Sequence, residues 1–294
     1  MVASDSLADV AIELLRDAAH RMLNSPGRHG SLLELSAELA DEVLIAGDLH
    51  GHRLNFHKIV RQAALEAHPR RHLVLQEVCH GGPSYPDNQG CMSHLLLEDI
   101  AQLVVNYPGR VHFLLGNHEW AELKDYPIRK GMSFLNYQFC SGISTFYGPR
   151  AQDVQRAYLA FLSASLLAVR IAGGLFISHS ATPLNAPLVD LAMLRRPLEE
   201  LDLSSGGPVY HMLWGRDYRP QAAERFARSV EAELLVHGHE PCPEGFATPN
   251  DRQIILDSSQ EPACGLLVRA GQPLDQQQAL EKLVLFSGSR RNAI

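Results

Sequence analysis

The sequence predicts an α/β fold that carries its chemistry at one edge of a sheet, on three observations. Val43, Leu44, Ile45 and Ala46 are β-prone apolar residues in a row that stop at Gly47, and Asp48 and His50 follow at once. Leu54–Ala67 then has helical periodicity, which completes a strand-loop-helix unit, the repeating piece of an α/β sheet. Further short strands end in polar groups of the same kind: Glu77, Asn117 with His118, His179, and His237 with His239. Open α/β sheets bind ligands outside the C-terminal ends of their strands, so these tips are candidates for one shared site.

Taken in order, Ser4–Leu23 is an amphipathic helix with Asp9, Glu13, Arg16 and Asp17 on its polar side, broken by Ser25-Pro26-Gly27. A short helix is expected at Ser31–Leu39 with Ser31 as its cap. After the first strand and the helix that ends before Pro69, His72–Leu75 is a second strand leading into Cys79-His80-Gly81-Gly82-Pro83. Ser84–Ser93 reads as loop, His94–Val105 as helix and Arg110–Leu115 as a third strand. Trp120–Gly148 is mixed and aromatic, and Ala151–Ala168 is helical. A hairpin around Gly173-Gly174 ends in Ser178-His179-Ser180. Helices at Leu188–Leu201 and Gln221–Ser229 flank the turn Ser204–Pro208, and the strand Glu233–Val236 runs into His237-Gly238-His239-Glu240. A last hairpin pairs Gln253–Leu256 with Gly265–Val268. The chain divides into a helical lead-in (1–40), a main domain (41–272) and a peripheral polar tail (273–294) whose end, Arg290–Ile294, is expected to fray.

Bulk properties narrow the function. With 46% hydrophobic and 20% charged residues the chain is neither disordered nor membrane-embedded. Its most apolar stretch, Leu159–Ile177, is interrupted by Arg170 and Gly173-Gly174, so no membrane partner is expected. A net charge of −7 argues against nucleic acid as a partner. Five scattered cysteines without a CxxC pair fit reduced thiols and a cytoplasmic location.

An imidazole and a carboxylate two residues apart, as in Asp48 and His50, can grip a metal ion from one side. The pieces GDLHG (47–51), GNHE (116–119), FISHS (176–180), LWGRD (213–217) and VHGHE (236–240) together resemble the calcineurin-like metallophosphoesterases, and within them the phosphoprotein phosphatase branch, over roughly residues 30–270. The resemblance implies an αββα sandwich of two mixed sheets flanked by helices, with two divalent metal ions between the strand tips. It implies Asp48 and His50 on the first ion and Asn117, His179 and His239 on the second, with a bridging carboxylate from the second motif. It casts His118 as the general acid that protonates the leaving alcohol, or as a stabiliser of the transition state, and Arg216 as a bidentate phosphate clamp. Two such ions lower the pKa of a bridging water, which becomes the in-line nucleophile. Mixed nitrogen and oxygen ligands suit manganese first, with iron or zinc as alternatives.

The second motif departs from the family pattern Gly-Asp-X-X-Asp-Arg-Gly. Here Gln76-Glu77-Val78-Cys79-His80-Gly81-Gly82 places Glu77 where the bridging Asp stands, His80 where an Asp orients the catalytic His, and Gly81 where an Arg grips phosphate. His237 is left as a ligand of the other ion or none, Trp214 is read as core, and Asp257 supports either the ligands or a turn. The cysteines are read as buried or inert thiols, with Cys79, nearest the site, as the one that oxidation could reach. The expected activity is hydrolysis of a phosphomonoester, on a phosphoprotein or a small molecule. Hydrolysis of dinucleoside polyphosphates is the enzymatic alternative, and a catalytically weak module that binds metal or phosphate is the alternative of another class.

Overall fold

The computed structural model describes residues 2–286. Its strands are β1 (Arg28–His29), β2 (Leu32–Leu35), β3 (Glu42–Asp48), β4 (Arg71–Gln76), β5 (Val111–Leu114), β6 (Arg129–Lys130), β7 (Ser133–Phe134), β8 (Ala168–Ile171), β9 (Leu175–Ser178), β10 (Leu234–His237), β11 (Phe246–Asn250), β12 (Gln253–Leu256), β13 (Cys264–Arg269) and β14 (Leu283–Leu285). They form a seven-stranded sheet ordered β1-β2-β8-β9-β10-β12-β11, a five-stranded sheet ordered β14-β13-β3-β4-β5, and the small hairpin β6-β7. β3, β4 and β5 run parallel, as do β9, β10 and β12.

Strand alternation builds three apolar layers from one sequence. On β3, Val43 and Ile45 face a core shared with Val169, Ile177, Val236 and Ile254 of the other sheet. Leu44 and Ala46 face the opposite way, onto Phe56, Ile59, Leu97, Ile100 and Phe161 of the covering helices. The seven-stranded sheet repeats this with Phe176 and Leu235 under Met212, Leu194 and Phe226. Strands buried on both faces read as unbroken apolar runs, and the result is the αββα sandwich that the resemblance implies.

Several expected elements differ. Ser31–Leu39 is not a helix: Leu33 and Leu35 enter the intersheet core while Leu32 enters the outer one, a period of two, and β2 pairs in parallel with β8. The Leu188–Leu201 helix shrinks to Leu191–Arg195, because Arg196 is held extended ahead of Pro197. The helix from Ala151 stops at Ser163, and Ala168 already belongs to β8. The last hairpin is not one: β12 joins β10 in the large sheet, whereas β13 runs antiparallel to β3 in the other. The segment after Gln272 is also structured. It supplies the helix Gln276–Leu280, with Ala279 fully buried, and β14, which pairs with β13. Arg290–Ile294 lie outside the described residues.

The two sheets meet at the tip of β3. A Cβ on Gly47 would lie 2.3 Å from the Leu256 backbone, so only glycine lets β3 approach the end of β12 this closely. The β3–β4 register shifts between Ile45 and Asp48, an irregularity of the kind that re-aims side chains beside active sites.

Candidate active site

The loops after β3, β4, β5, β9 and β10 converge on one point. Leu49 and His50 both donate their backbone N–H to the Glu77 carbonyl, at 2.8 and 2.9 Å, which locks the first two loops together. Glu119 ties in the third: its carboxylate accepts from the backbone N–H groups of Val78, Cys79 and Gly116 at 2.7, 2.6 and 3.1 Å. His50, Glu77, His80 and His239 all have positive φ, between 39 and 73°. Each such non-glycine residue costs on the order of 1–3 kcal/mol and persists only where its surroundings over-determine it.

The structure brings the expected ligands together. Asn117 Oδ1, His179 Nε2 and His239 Nδ1 lie 2.9, 2.9 and 3.0 Å from one another, and Glu77 Oε2 is 3.0 Å from His179 Nε2. Ligands 2.0–2.2 Å from one ion and at right angles around it stand about 3 Å apart, so the spacing fits a single divalent ion. Asp48 Oδ2 accepts the His239 backbone N–H at 2.7 Å, which leaves Oδ1 without a hydrogen-bond partner. Glu77 Oε2 is likewise buried without one, while Oε1 accepts the His118 N–H at 3.1 Å. Donor atoms of His50, Glu77 and His118 fall within 4.8 Å of one another beside this set.

Burial raises the Asp48 carboxyl well above its ordinary value, with the neighbouring Glu77 charge adding to it, and burial pushes Glu77 up to about 7. Two buried carboxylates with orphaned oxygens lack a compensating cation, and divalent metal is the group these residues fit.

Neighbouring groups orient the ligands. Gln76 Nε2 donates to the Ala46 carbonyl at 3.0 Å, so its Oε1, 3.3 Å from His179 Nδ1, takes that ring's hydrogen and leaves Nε2 bare for metal. His50 Nδ1 lies 3.3 Å from the Cys79 carbonyl and is set the same way. Gln76 was not singled out in the sequence, although a lone amide in an apolar strand just before Glu77 is a signal. His237 Nδ1 sits 3.1 Å from the Ser178 carbonyl, and its ring lies beside Phe226, with centroids 6.5 Å apart. Asp257 serves the turn after β12, where it accepts from the backbone N–H groups of Cys242 and Ser259.

His118 is at the edge of the site, its Nε2 3.9 Å from Glu77 Oε1. Burial, with His50 and His80 beside it, holds the imidazole well below its usual value. Arg216 reaches the same recess, lined also by Asp48, His50, Asn117 and His239, and is paired with Glu240 at 2.5 Å. Trp214 packs at the margin of a core cluster against Tyr210. Cys79 is buried and its thiol is pushed well up by burial, which suppresses the reactive thiolate, agrees with the inert reading and runs against the oxidation-prone alternative. A cleft of about 690 Å³ opens beside His50, His80 and His118, walled by Pro83, Ser84 and Gln89 on one side and by Ile128, Arg129 and Lys130 on another.

The family model for calcineurin-like phosphoesterases matches residues 42–243, more than half of the chain. The chain belongs to the calcineurin-like phosphoesterases. It is a metal-dependent phosphoesterase of that family. Its fold is shared with a serine/threonine phosphatase from Saccharomyces cerevisiae with similarity to human phosphatase PP5 (TM-score 0.69, 14% identity, covering 95% of this chain and 88% of the other). A cold-active protein-tyrosine phosphatase from a psychrophilic Shewanella species is also similar (TM-score 0.57, 13% identity, 91% and 82% covered). No curated protein matches the sequence. Among the described residues no helix is long and apolar enough to cross a membrane.

Proposed function

We propose that this phosphoesterase hydrolyses phosphomonoesters, on a phosphoprotein or a small molecule, with two divalent ions, manganese first among them. The observation that supports it is the cluster of Glu77, Asn117, His179 and His239 donors about 3 Å apart, with the orphaned Asp48 Oδ1 beside it. Asp48 and His50 would hold one ion, Asn117, His179 and His239 the other, and Glu77 would bridge them. When bound, such ions polarise phosphoryl oxygens and acidify water.

The chain's own residues do the rest. Arg216 presents a planar pair of donors to two phosphoryl oxygens, and it must exchange Glu240 for the substrate to do so. His118 hands a proton to the departing alcohol oxygen. The neighbouring folds include a serine/threonine phosphatase and a protein-tyrosine phosphatase, and the cleft beside His50, His80 and His118 would receive the ester. Five unpaired cysteines suit a reducing compartment, and we place the enzyme in the cytoplasm.

The test is to strip the protein with chelator, reload it with manganese, iron or zinc, and measure bound metal together with hydrolysis of phenyl phosphate. Two ions per chain with turnover is the expected outcome. Two ions without turnover of phenyl phosphate, a phosphopeptide or a dinucleoside tetraphosphate would make the chain a binding module. Turnover of the tetraphosphate alone would make it a dinucleoside polyphosphate hydrolase.

A further inference from the structure

Behind His118 lies a row of side chains that the metal cluster does not use. His80 Nδ1 is 2.8 Å from His118 Nδ1, and His80 Nε2 is 2.6 Å from Glu122 Oε1. The His80 side chain is wholly buried and that of Glu122 nearly so, at 4% exposure. Asn136 Nδ2 donates to the same Glu122 oxygen at 2.9 Å, and its own Oδ1 is fixed by the Ile128 N–H at 2.9 Å. His118 and Glu122 are four residues apart on the helix Asn117–Leu123 and so share a face. His80 spans the gap between them.

We propose that Glu122, reaching through His80, is the positioning carboxylate for His118. This deepens the proposed reaction and rests on His118 being its proton donor. A carboxylate oxygen that already accepts an Asn136 N–H is an acceptor toward His80, so His80 Nε2 carries hydrogen. One hydrogen lies in the 2.8 Å contact between the rings. With a further proton on His118 Nε2, the two rings share one positive charge opposite the Glu122 negative one. When the Nε2–H bond breaks, its proton goes to the leaving oxygen as the O–H bond forms. The hydrogen between the rings then belongs to His118, and both imidazoles are neutral. The 2.8 Å contact at Nδ1 thus fixes the His118 ring and leaves its Nε2 for the cleft.

The experiment uses the manganese-loaded full chain and two esters of unequal leaving groups. In Glu122→Gln, kcat for phenyl phosphate, whose phenoxide needs a proton, should fall roughly 10-fold or more. The loss on p-nitrophenyl phosphate, whose leaving group needs little help, should be several times smaller, with KM and metal content unchanged. His80→Asp puts a carboxylate oxygen where Nδ1 now stands, two bonds from Cβ, in direct reach of His118. In that background Glu122→Gln should cost little.

Equal losses on both esters, or the same loss with and without His80→Asp, would overturn the assignment. Nitrogen-15 NMR of the ring nitrogens decides it independently of turnover: His80 Nε2 should carry hydrogen in the wild type, and a bare Nε2 there would sink the row. A metal-loaded wild type that hydrolyses neither ester would remove the proposed function while leaving that spectral result to stand or fall by itself.

Discussion

A methyl group added at Gly116 would come within 1.6 Å of Glu77 Oε2 and 2.8 Å of Glu119 Oε2. The longer carboxylate of the second motif therefore occupies space that only a glycine in the third motif leaves open. This explains how a Glu fits beside the third motif, with its backbone held at φ 44°. Gly116→Ala should expel the carboxylate and mimic Glu77→Ala. Both should lower bound metal measured by elemental analysis of the purified protein, and the double variant should be no worse than either single one. Glu77→Asp keeps the charge and suits the left-handed backbone better, so it should retain metal and keep or raise activity. An unchanged metal content in Glu77→Ala would show that the bridging carboxylate lies elsewhere. The missing arginine has a steric reason too. A Cβ on Gly81 would lie 2.4 Å from the His50 carbonyl oxygen, so Gly81→Arg would displace the His50 loop instead of restoring a clamp.

At the scale of elements, strands that are buried on both faces announced themselves, and so did the polar residues at their tips. β3, β4, β5, β9 and β10 were legible because each is a short apolar run ended by a ligand-type residue. What was hidden lay in pairings between distant segments. Nothing local in Leu32–Leu35 says that Leu32 and Leu33 enter different cores, and nothing in Gln253–Val268 says that its two strands join different sheets. The Glu122–His80–His118 row was hidden for the same reason, since its middle member comes from another loop. The C-terminal segment misled by composition. Its polar residues face solvent, yet Phe286 is buried and lies 2.4 Å from where a Cβ on Gly265 would be, with its N–H donating to the Ala263 carbonyl at 2.8 Å. Phe286→Ala should therefore cost about 3 kcal/mol in urea unfolding. A loss under about 0.5 kcal/mol, the usual ceiling for surface changes, would return this segment to the periphery.

For the molecule as a whole, the buried histidines set a dependence of stability on pH. His112 is buried against His72, with His112 Nε2 2.9 Å from His72 Nδ1, and burial holds its pKa well below the ordinary value. Burial likewise lowers His179 to about 3 and His237 to about 4. The unfolded chain protonates these rings near pH 6.5 while the fold refuses the proton, so their contribution is present above pH 6.5 and is lost as the pH falls. Asp48 and Glu77 act in the opposite sense. Their raised values favour the neutral form, so the metal-free protein loses stability as pH rises toward about 7, where Glu77 ionises. Bound cations remove that second loss by pairing both carboxylates, whereas in acid the metal leaves as its ligands take up protons and the two carboxyls are neutral. Each histidine kept neutral by the fold steepens the acid limb by about 1.4 kcal/mol per pH unit below its unfolded value. His112 stands apart from the metal cluster, so its share can be isolated. The urea-unfolding free energy of metal-free His112→Phe should decline between pH 6 and 5 less steeply than that of the wild type, by about that one increment. Parallel acid limbs for the two proteins would mean that the fold lets His112 take up its proton as freely as the unfolded chain does.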